Sequence, residues 1–102
     1  MNNISIIGYS GHSYEIIEIL RKDNFFIKGY FELEKKELNP FSLDYLGSDK
    51  HNKFVNLIKG NHFFVAIGNN SIRLKLSKVI QNNGGTLVNA IHNTASISNH
   101  LK

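Results

Sequence analysis

The feature that most constrains this chain is an apolar run that gives way to small residues and then changes its period: Ile4-Ser5-Ile6-Ile7-Gly8-Tyr9-Ser10-Gly11-His12-Ser13. Residues 4–7 are short, β-branched and almost wholly apolar, which suits a strand buried on both faces of a parallel sheet. Gly8 and Gly11 allow a ligand to come close to the main chain. From about Ser13 the apolar residues fall at helical spacing, with Tyr14, Ile17 and Leu20 on one stripe and Ile16 and Ile19 beside it. A strand, a small-residue turn and a helix mouth in that order form a place for an anion, because the first N–H groups of the helix lack intrahelical partners and the dipole is positive there. The dinucleotide fingerprint of three glycines is met only in part, since Ser10 and Ser13 stand at its second and third positions. A plain βα turn has the same taste for Gly and Ser.

The rest of the chain repeats the pattern. Residues 25–31 read as an aromatic-rich strand ending at Glu32, and residues 33–44, with the only proline, as a loop or an excursion from the sheet. Residues 45–49 read as a short extended piece leading to a helix capped by Ser48 or Asp49, with Phe54, Leu57 and Ile58 as its stripe. Residues 63–67 form another buried strand, 68–70 a turn, and 71–83 a helix with Ile72, Leu76, Val79 and Ile80 on its apolar face. Gly84-Gly85 ends that helix and residues 86–91 form the last strand. Strands separated by helices predict an α/β fold, a Rossmann-like parallel sheet with flanking helices on both faces.

Length and composition set the frame. At 102 residues the chain makes one small domain, and 41% hydrophobic and 11% aromatic content is that of a globular protein. No apolar run approaches the ~20 residues of a membrane helix, and Met1 opens no signal segment, so the expectation is a cytoplasmic protein without membrane insertion. The absence of cysteine rules out disulfides and thiolate metal sites. His51, His62 and His100 show no metal-ligand spacing, so no metal is expected. The net charge of +4 favours anionic ligands, but the lysines are scattered among acids, and no nucleic-acid partner is called for.

Ligands of open α/β sheets bind beyond the carboxyl ends of the strands. The candidate substrate-binding residues there are Gly8, Tyr9, Ser10, Gly11 and His12 of the first loop, Glu32 after the second strand, and Gly68, Asn69, Asn70 and Arg73 after the fourth. His12 is read either as a donor to phosphate or sugar hydroxyls or as a capping, solvent-exposed residue. Glu32, about 20 residues beyond the loop, stands where an acid accepts from ribose hydroxyls, or is a surface glutamate. Asn69 and Asn70 offer amide contacts or cap the helix, and Arg73 is a phosphate contact or a solvated charge.

Gly8-Tyr9-Ser10-Gly11-His12, Gly29-Tyr30-Phe31-Glu32, Tyr45-Leu46-Gly47-Ser48, Ala66-Ile67-Gly68-Asn69-Asn70-Ser71-Ile72-Arg73 and Asn89-Ala90-Ile91-His92-Asn93-Thr94-Ala95-Ser96-Ile97-Ser98 occur in order over essentially the whole chain. Together they resemble the N-terminal domain of bacterial sugar acyltransferases of the sialic acid O-acetyltransferase type, which include N-acetyltransferases acting on UDP-4-amino-sugars in bacillosamine-type glycan pathways. The resemblance implies that residues 1–102 hold a nucleotide sugar such as a UDP-sugar, with the Gly8–His12 loop near sugar and phosphates and Glu32 near the nucleoside. It further implies a separate left-handed β-helix that trimerises, binds acetyl-CoA between subunits and supplies a histidine general base. Residues 91–102 look like the junction toward that β-helix. The expectation is thus a domain lacking the β-helix, truncated or naturally short, that binds substrate without cofactor of its own, transfers no acetyl group, and is a monomer or weak dimer. Two positions depart from the family: Glu32-Leu33 replaces a common Asp-Asp pair, and Asn93 follows His92 where proline is usual. His92 is read as structural, so no catalytic residue is assigned. The rival readings are an NAD(P)-binding Rossmann module and a non-catalytic regulatory or interaction domain.

Overall fold

A computed structural model describes residues 2–48, 50 and 52–88. Its elements are β1 (Asn2–Ile7), α1 (Gly11–Lys22), β2 (Phe25–Phe31), β3 (Asp44–Gly47), a 3-10 helix (Asn52–Leu57), β4 (His62–Val65), α2 (Asn70–Asn82) and β5 (Thr86–Leu87). All strand pairings are parallel, in the order β3-β2-β1-β4-β5. The chain builds outward from β1 to β3, returns, and continues from β4 to β5. The strand order therefore reverses between β1 and β4, and the expected Rossmann-like sheet is present.

Alternation along the central strands sends side chains to two cores. Ile4 and Ile6 of β1 join Phe64 and Ala66 and the buried face of α1, Ile16, Ile17 and Leu20. Ile7, Phe63 and Val65 point the other way, toward Phe31, Phe54, Ile58, Leu76 and Ile80. Each such side chain removed from water contributes roughly 1.5–3 kcal/mol, so the central strands are secured from both sides. The β1–β2 register slips between Ile4 and Ser5 and leaves Lys28 without a partner strand residue. That slip is why Ile27 and Tyr30, three apart, share one core while Phe31 enters the other.

Helix α1 begins at Gly11, two residues before the change of period. The Ser13 hydroxyl accepts from the Ser10 N–H at 3.2 Å and donates to the Ser10 carbonyl at 2.7 Å, closing the first turn around a fully buried serine. Helix α2 likewise starts at Asn70 rather than Ser71. It ends as expected on Gly84, whose φ of +82° permits the paired return bonds from Gly84 N–H to Gln81 and from Gly85 N–H to Ile80.

Other expectations are corrected as well. The fourth strand is His62–Val65 rather than 63–67, because Ala66 and Ile67 already turn toward the loop. The segment after β3 is a 3-10 helix, anchored by Phe54 and Ile58, while Leu57 is nearly half exposed. The crossover from β2 to β3, by contrast, is the loop that the sequence leads one to expect and contains no helix. It is a loop held by tyrosine hydroxyls: Tyr30 accepts from the Lys36 N–H at 2.8 Å and Tyr45 donates to the Glu32 carbonyl at 2.9 Å. Asn39 closes the loop on itself through bonds to both backbone groups of Leu43. Strand β5 covers Thr86 and Leu87 and ends before Val88, short of the expected 86–91; residues 89–91 lie outside the described residues.

Candidate functional site

The reversal of strand order leaves a cleft of about 700 Å³ beyond the carboxyl ends of β1 and β4. Its polar side is made by Gly8, Ser10, His12, Glu32 and Gly68, its apolar side by Ile7, Phe31, Leu33, Ala66, Ile67, Ile72, Leu76 and Val79, and its cations are Lys50 and Lys75. Three loops distant in sequence thus meet, as the parallel topology requires.

Gly8 makes the meeting possible. Its φ is +93°, and a β-carbon there would stand 2.9 Å from the Ala66 carbonyl oxygen. The Gly8 N–H donates to the Phe31 carbonyl at 2.9 Å, and the Ala66 N–H to that of Ile7 at 2.7 Å. The loop therefore lies flat against β2 and β4 before α1 begins. The N–H groups of Gly11 and His12, in the first turn, have no carbonyl four residues back within the helix. The first turns of α1 and α2 contain no acidic side chain, so both positive helix ends are unneutralised from within.

Glu32 is held on three sides. Its N–H donates to Gly47 at 3.0 Å, its carbonyl accepts from Tyr45, and its carboxylate accepts from the Tyr9 N–H at 2.5 Å. The acid expected to accept from ribose hydroxyls, or to lie on the surface, is thus observed to fix the shape of the first loop. Asn69 caps α2 by accepting from the Ile72 N–H at 3.0 Å. Asn70 accepts from the guanidinium of Arg73, and neither Asn69, Asn70 nor Arg73 lines the cleft. Gly11 lies between two lining residues, Ser10 and His12.

Tyr9 is placed differently from its loop neighbours. Its side chain is fully buried beneath the loop, with ring centroids 4.6 Å from Tyr30 and 5.6 Å from Tyr14, and Tyr30 continues the row to Tyr45. Its hydroxyl donates to Asn39 Oδ1 at 2.6 Å and accepts from the Phe41 N–H at 3.0 Å. Expected among the substrate-binding residues, Tyr9 does not line the cleft, because its ring is packed beneath the loop. Burial raises the Tyr9 hydroxyl above its ordinary value of 10.0, against a smaller lowering by the Phe41 N–H. The folded state therefore holds this proton more tightly than the unfolded chain. The resulting stability is present below about pH 10 and is lost as pH rises toward the folded value. Tyr9→Phe is expected to cost about 1–3 kcal/mol at neutral pH by orphaning the Phe41 N–H, and to flatten the fall in stability above pH 10. Urea unfolding of both proteins across the alkaline range measures each effect.

Sequence reasoning missed four contributors. Ile72 was expected in the core, yet it is 46% exposed and faces the cleft. Lys75 shares the face of Ile72, Leu76 and Val79 at i, i+3, i+4 and i+7, and a lysine on an apolar stripe was the available signal. Lys50 and Leu33 carry no local signal. Among the described residues, no group of three His, Asp or Glu side chains could hold a metal ion, and no helix is long and apolar enough to cross a membrane. Residues 89–102, with His92 and His100, and also His51, lie outside the described residues.

Sheet, crossovers and cleft define a Rossmann-like α/β domain with an open cleft at the switch point. Residues 3–80 match the family described as the PglD N-terminal domain, and the chain belongs to that family. Among solved structures it is similar to a histidine-to-asparagine variant of perosamine N-acetyltransferase from Caulobacter crescentus in complex with CoA and GDP-perosamine. That match has 27% identity and a TM-score of 0.70, covering 86% of this chain and 41% of the other. A histidine-to-alanine variant, described as GDP-perosamine N-acetyl transferase from the same organism with the same ligands, matches with the same values. PerB from Caulobacter crescentus with CoA and GDP-perosamine matches at a TM-score of 0.67 and 27% identity, again over 86% of this chain and 41% of that one. The chain therefore spans less than half the length of the solved structures it matches.

Proposed function

We propose that this chain is the nucleotide-sugar-binding domain of a sugar N-acetyltransferase. The observation that carries the reading is the convergence of Gly8, Ser10, His12, Glu32 and Gly68 on a cleft beside the first turns of α1 and α2, which carry no acidic side chain of their own. Family membership and the GDP-perosamine bound by the similar enzyme support it. A nucleoside diphosphate sugar fits this division of the cleft: phosphates meet the first-turn N–H groups of α1 and the His12 ring, sugar hydroxyls meet Ser10 and Glu32, and apolar surface covers the base. Gly11 lets the phosphates approach the main chain, and Asn69, Asn70 and Arg73 shape the α2 mouth from outside the cleft.

Acetyl transfer needs an acyl donor and a base to take the proton of the attacking nitrogen. We assign acetyl-CoA and that base to the part of such an enzyme that this chain does not span, in keeping with the 41% coverage of relatives that hold CoA as well. The role of residues 1–102 is then to select and orient the acceptor sugar.

Calorimetric titration at fixed salt with UDP, a UDP-4-amino-sugar, GDP-perosamine, CMP-sialic acid and NADH tests this. Saturable heat from a nucleoside diphosphate sugar, with none from NADH, is the expected result. Heat from NADH alone replaces this reading with a nicotinamide-binding module, and silence from all five ligands overturns it in favour of a non-binding domain.

A further inference from the structure

The charge around the cleft is uneven in a way that the motifs do not anticipate. Its only acidic lining residue, among those described, is Glu32, and that carboxylate already accepts the Tyr9 N–H. Its cations arrive from two separate elements, Lys50 from the connection after β3 and Lys75 from the second turn of α2. Among the described residues neither ammonium meets a carboxylate. Arg73, the cation that the loop motif singles out, bonds Asn70 and stays off the lining.

Lys75 also interrupts a face whose other members, Ile72, Leu76 and Val79, line the same cleft. A lysine at that register lays its methylenes along apolar surface and carries the ammonium to the open end. Nothing in the packing of α2 requires it, since Leu76 and Ile80 make the buried contacts.

We propose that Lys75, assisted by Lys50, is the charge clamp for the diphosphate of the nucleotide sugar, and that Lys75 rather than Arg73 sets selectivity for a doubly charged ligand. This rests on the reading of the cleft as a nucleotide-sugar site. Two ammonium groups match the two negative charges of a diphosphate diester. The first-turn N–H groups of α1 fix its position, while the lysines favour its charge.

The test titrates the chain with GDP-perosamine and a UDP-4-amino-sugar at low and high salt, using Lys75→Gln, Lys50→Gln, Arg73→Gln and, as a charge-matched control on the same helix, Lys78→Gln, which lies outside the cleft lining. Lys75→Gln is expected to weaken the nucleotide sugar that the chain binds by about tenfold at low salt, with the gap narrowing at high salt as screening grows. Lys75→Arg is expected to restore most of the affinity. Lys50→Gln should give a smaller loss of the same sign, and Lys78→Gln almost none. Lys75 is exposed, so thermal melting of each variant should match the parent. The proposal is overturned if Lys75→Gln binds as the parent does, if Lys78→Gln loses as much, or if the loss follows Arg73→Gln instead. Parent binding that survives Lys75→Gln removes this inference alone; a parent that binds no nucleotide or nucleotide sugar removes the proposed function with it.

Discussion

Gly11→Val is expected to abolish nucleotide-sugar binding while leaving the fold intact. A β-carbon at Gly11 would meet nothing within 4 Å, and its backbone is not in the left-handed region. Valine is a weaker helix former than most residues but better than the glycine it replaces, so a thermal melt should move little. On the ligand side the branched chain stands at the mouth of α1, between Ser10 and His12, where a phosphate must come within hydrogen-bond distance of the Gly11 and His12 N–H groups. Two charge-assisted bonds at roughly 1.5–3 kcal/mol each put the loss at about 100-fold or more. Gly8→Val is the instructive contrast. There φ is +93° and the new β-carbon would press on the Ala66 carbonyl, so strain of about 1–3 kcal/mol precedes any effect on ligand, and melting and binding fall together. Calorimetry and circular dichroism on the two variants separate a residue that receives ligand from one that shapes the loop. Unchanged affinity in Gly11→Val removes the α1 mouth from the site.

These two glycines mark how far the sequence is legible. The strand, turn and helix around them are written locally, in a period that changes from apolar run to helical stripe, and the same is true of β4 and α2. Periodicity places the helix starts late because Gly11 and Asn70 are weak helix formers in isolation; the Ser13 and Asn69 side chains that fix those starts act through hydrogen bonds, not periodicity. The β2–β3 crossover was open in the sequence because its order comes from residues far away: Tyr9 reaches Asn39 and Phe41 across some thirty positions. Tyr9 itself sits in a motif whose neighbours face the cleft, and only the turn at Gly8 decides that its ring goes under the loop. Ile72 shows the same limit from the apolar side. A helical stripe tells which residues share a face, not whether sheet or open cleft lies opposite, and α2 overhangs the sheet so that Leu76 and Ile80 are covered while Ile72 is not. Lys75 is illegible in the sequence for the same reason, since its significance depends on what Ile72 faces.

Phe54→Ala is expected to be the most damaging single change for stability, at about 3–5 kcal/mol for truncating a buried phenylalanine. The 3-10 helix that carries Phe54 is only six residues long, and such turns have poorer hydrogen-bond geometry than an α-helix. Its place on the sheet therefore depends on side chains, and Phe54 supplies the largest of them. The ring is 2% exposed, with centroids 5.1 Å from Phe31 and 6.1 Å from Phe63, both edge-to-face. Truncation leaves a void bounded by two aromatic rings and the rigid central strands, which cannot close it. For a domain of this size the melting temperature should fall on the order of 15 °C or more. Phe26→Ala, at a β2 position 52% exposed, removes the same atoms and should cost no more than about 0.5 kcal/mol. Urea unfolding of the pair measures the difference, and a Phe54→Ala cost near that of Phe26→Ala would mean that the 3-10 helix is held by something other than this cluster. Phe31 joins stability to binding, because it contacts Phe54 on one side and lines the cleft on the other. Under conditions where Phe54→Ala remains folded, its nucleotide affinity should therefore fall as well, through a loosened cleft wall, although position 54 does not line the cleft.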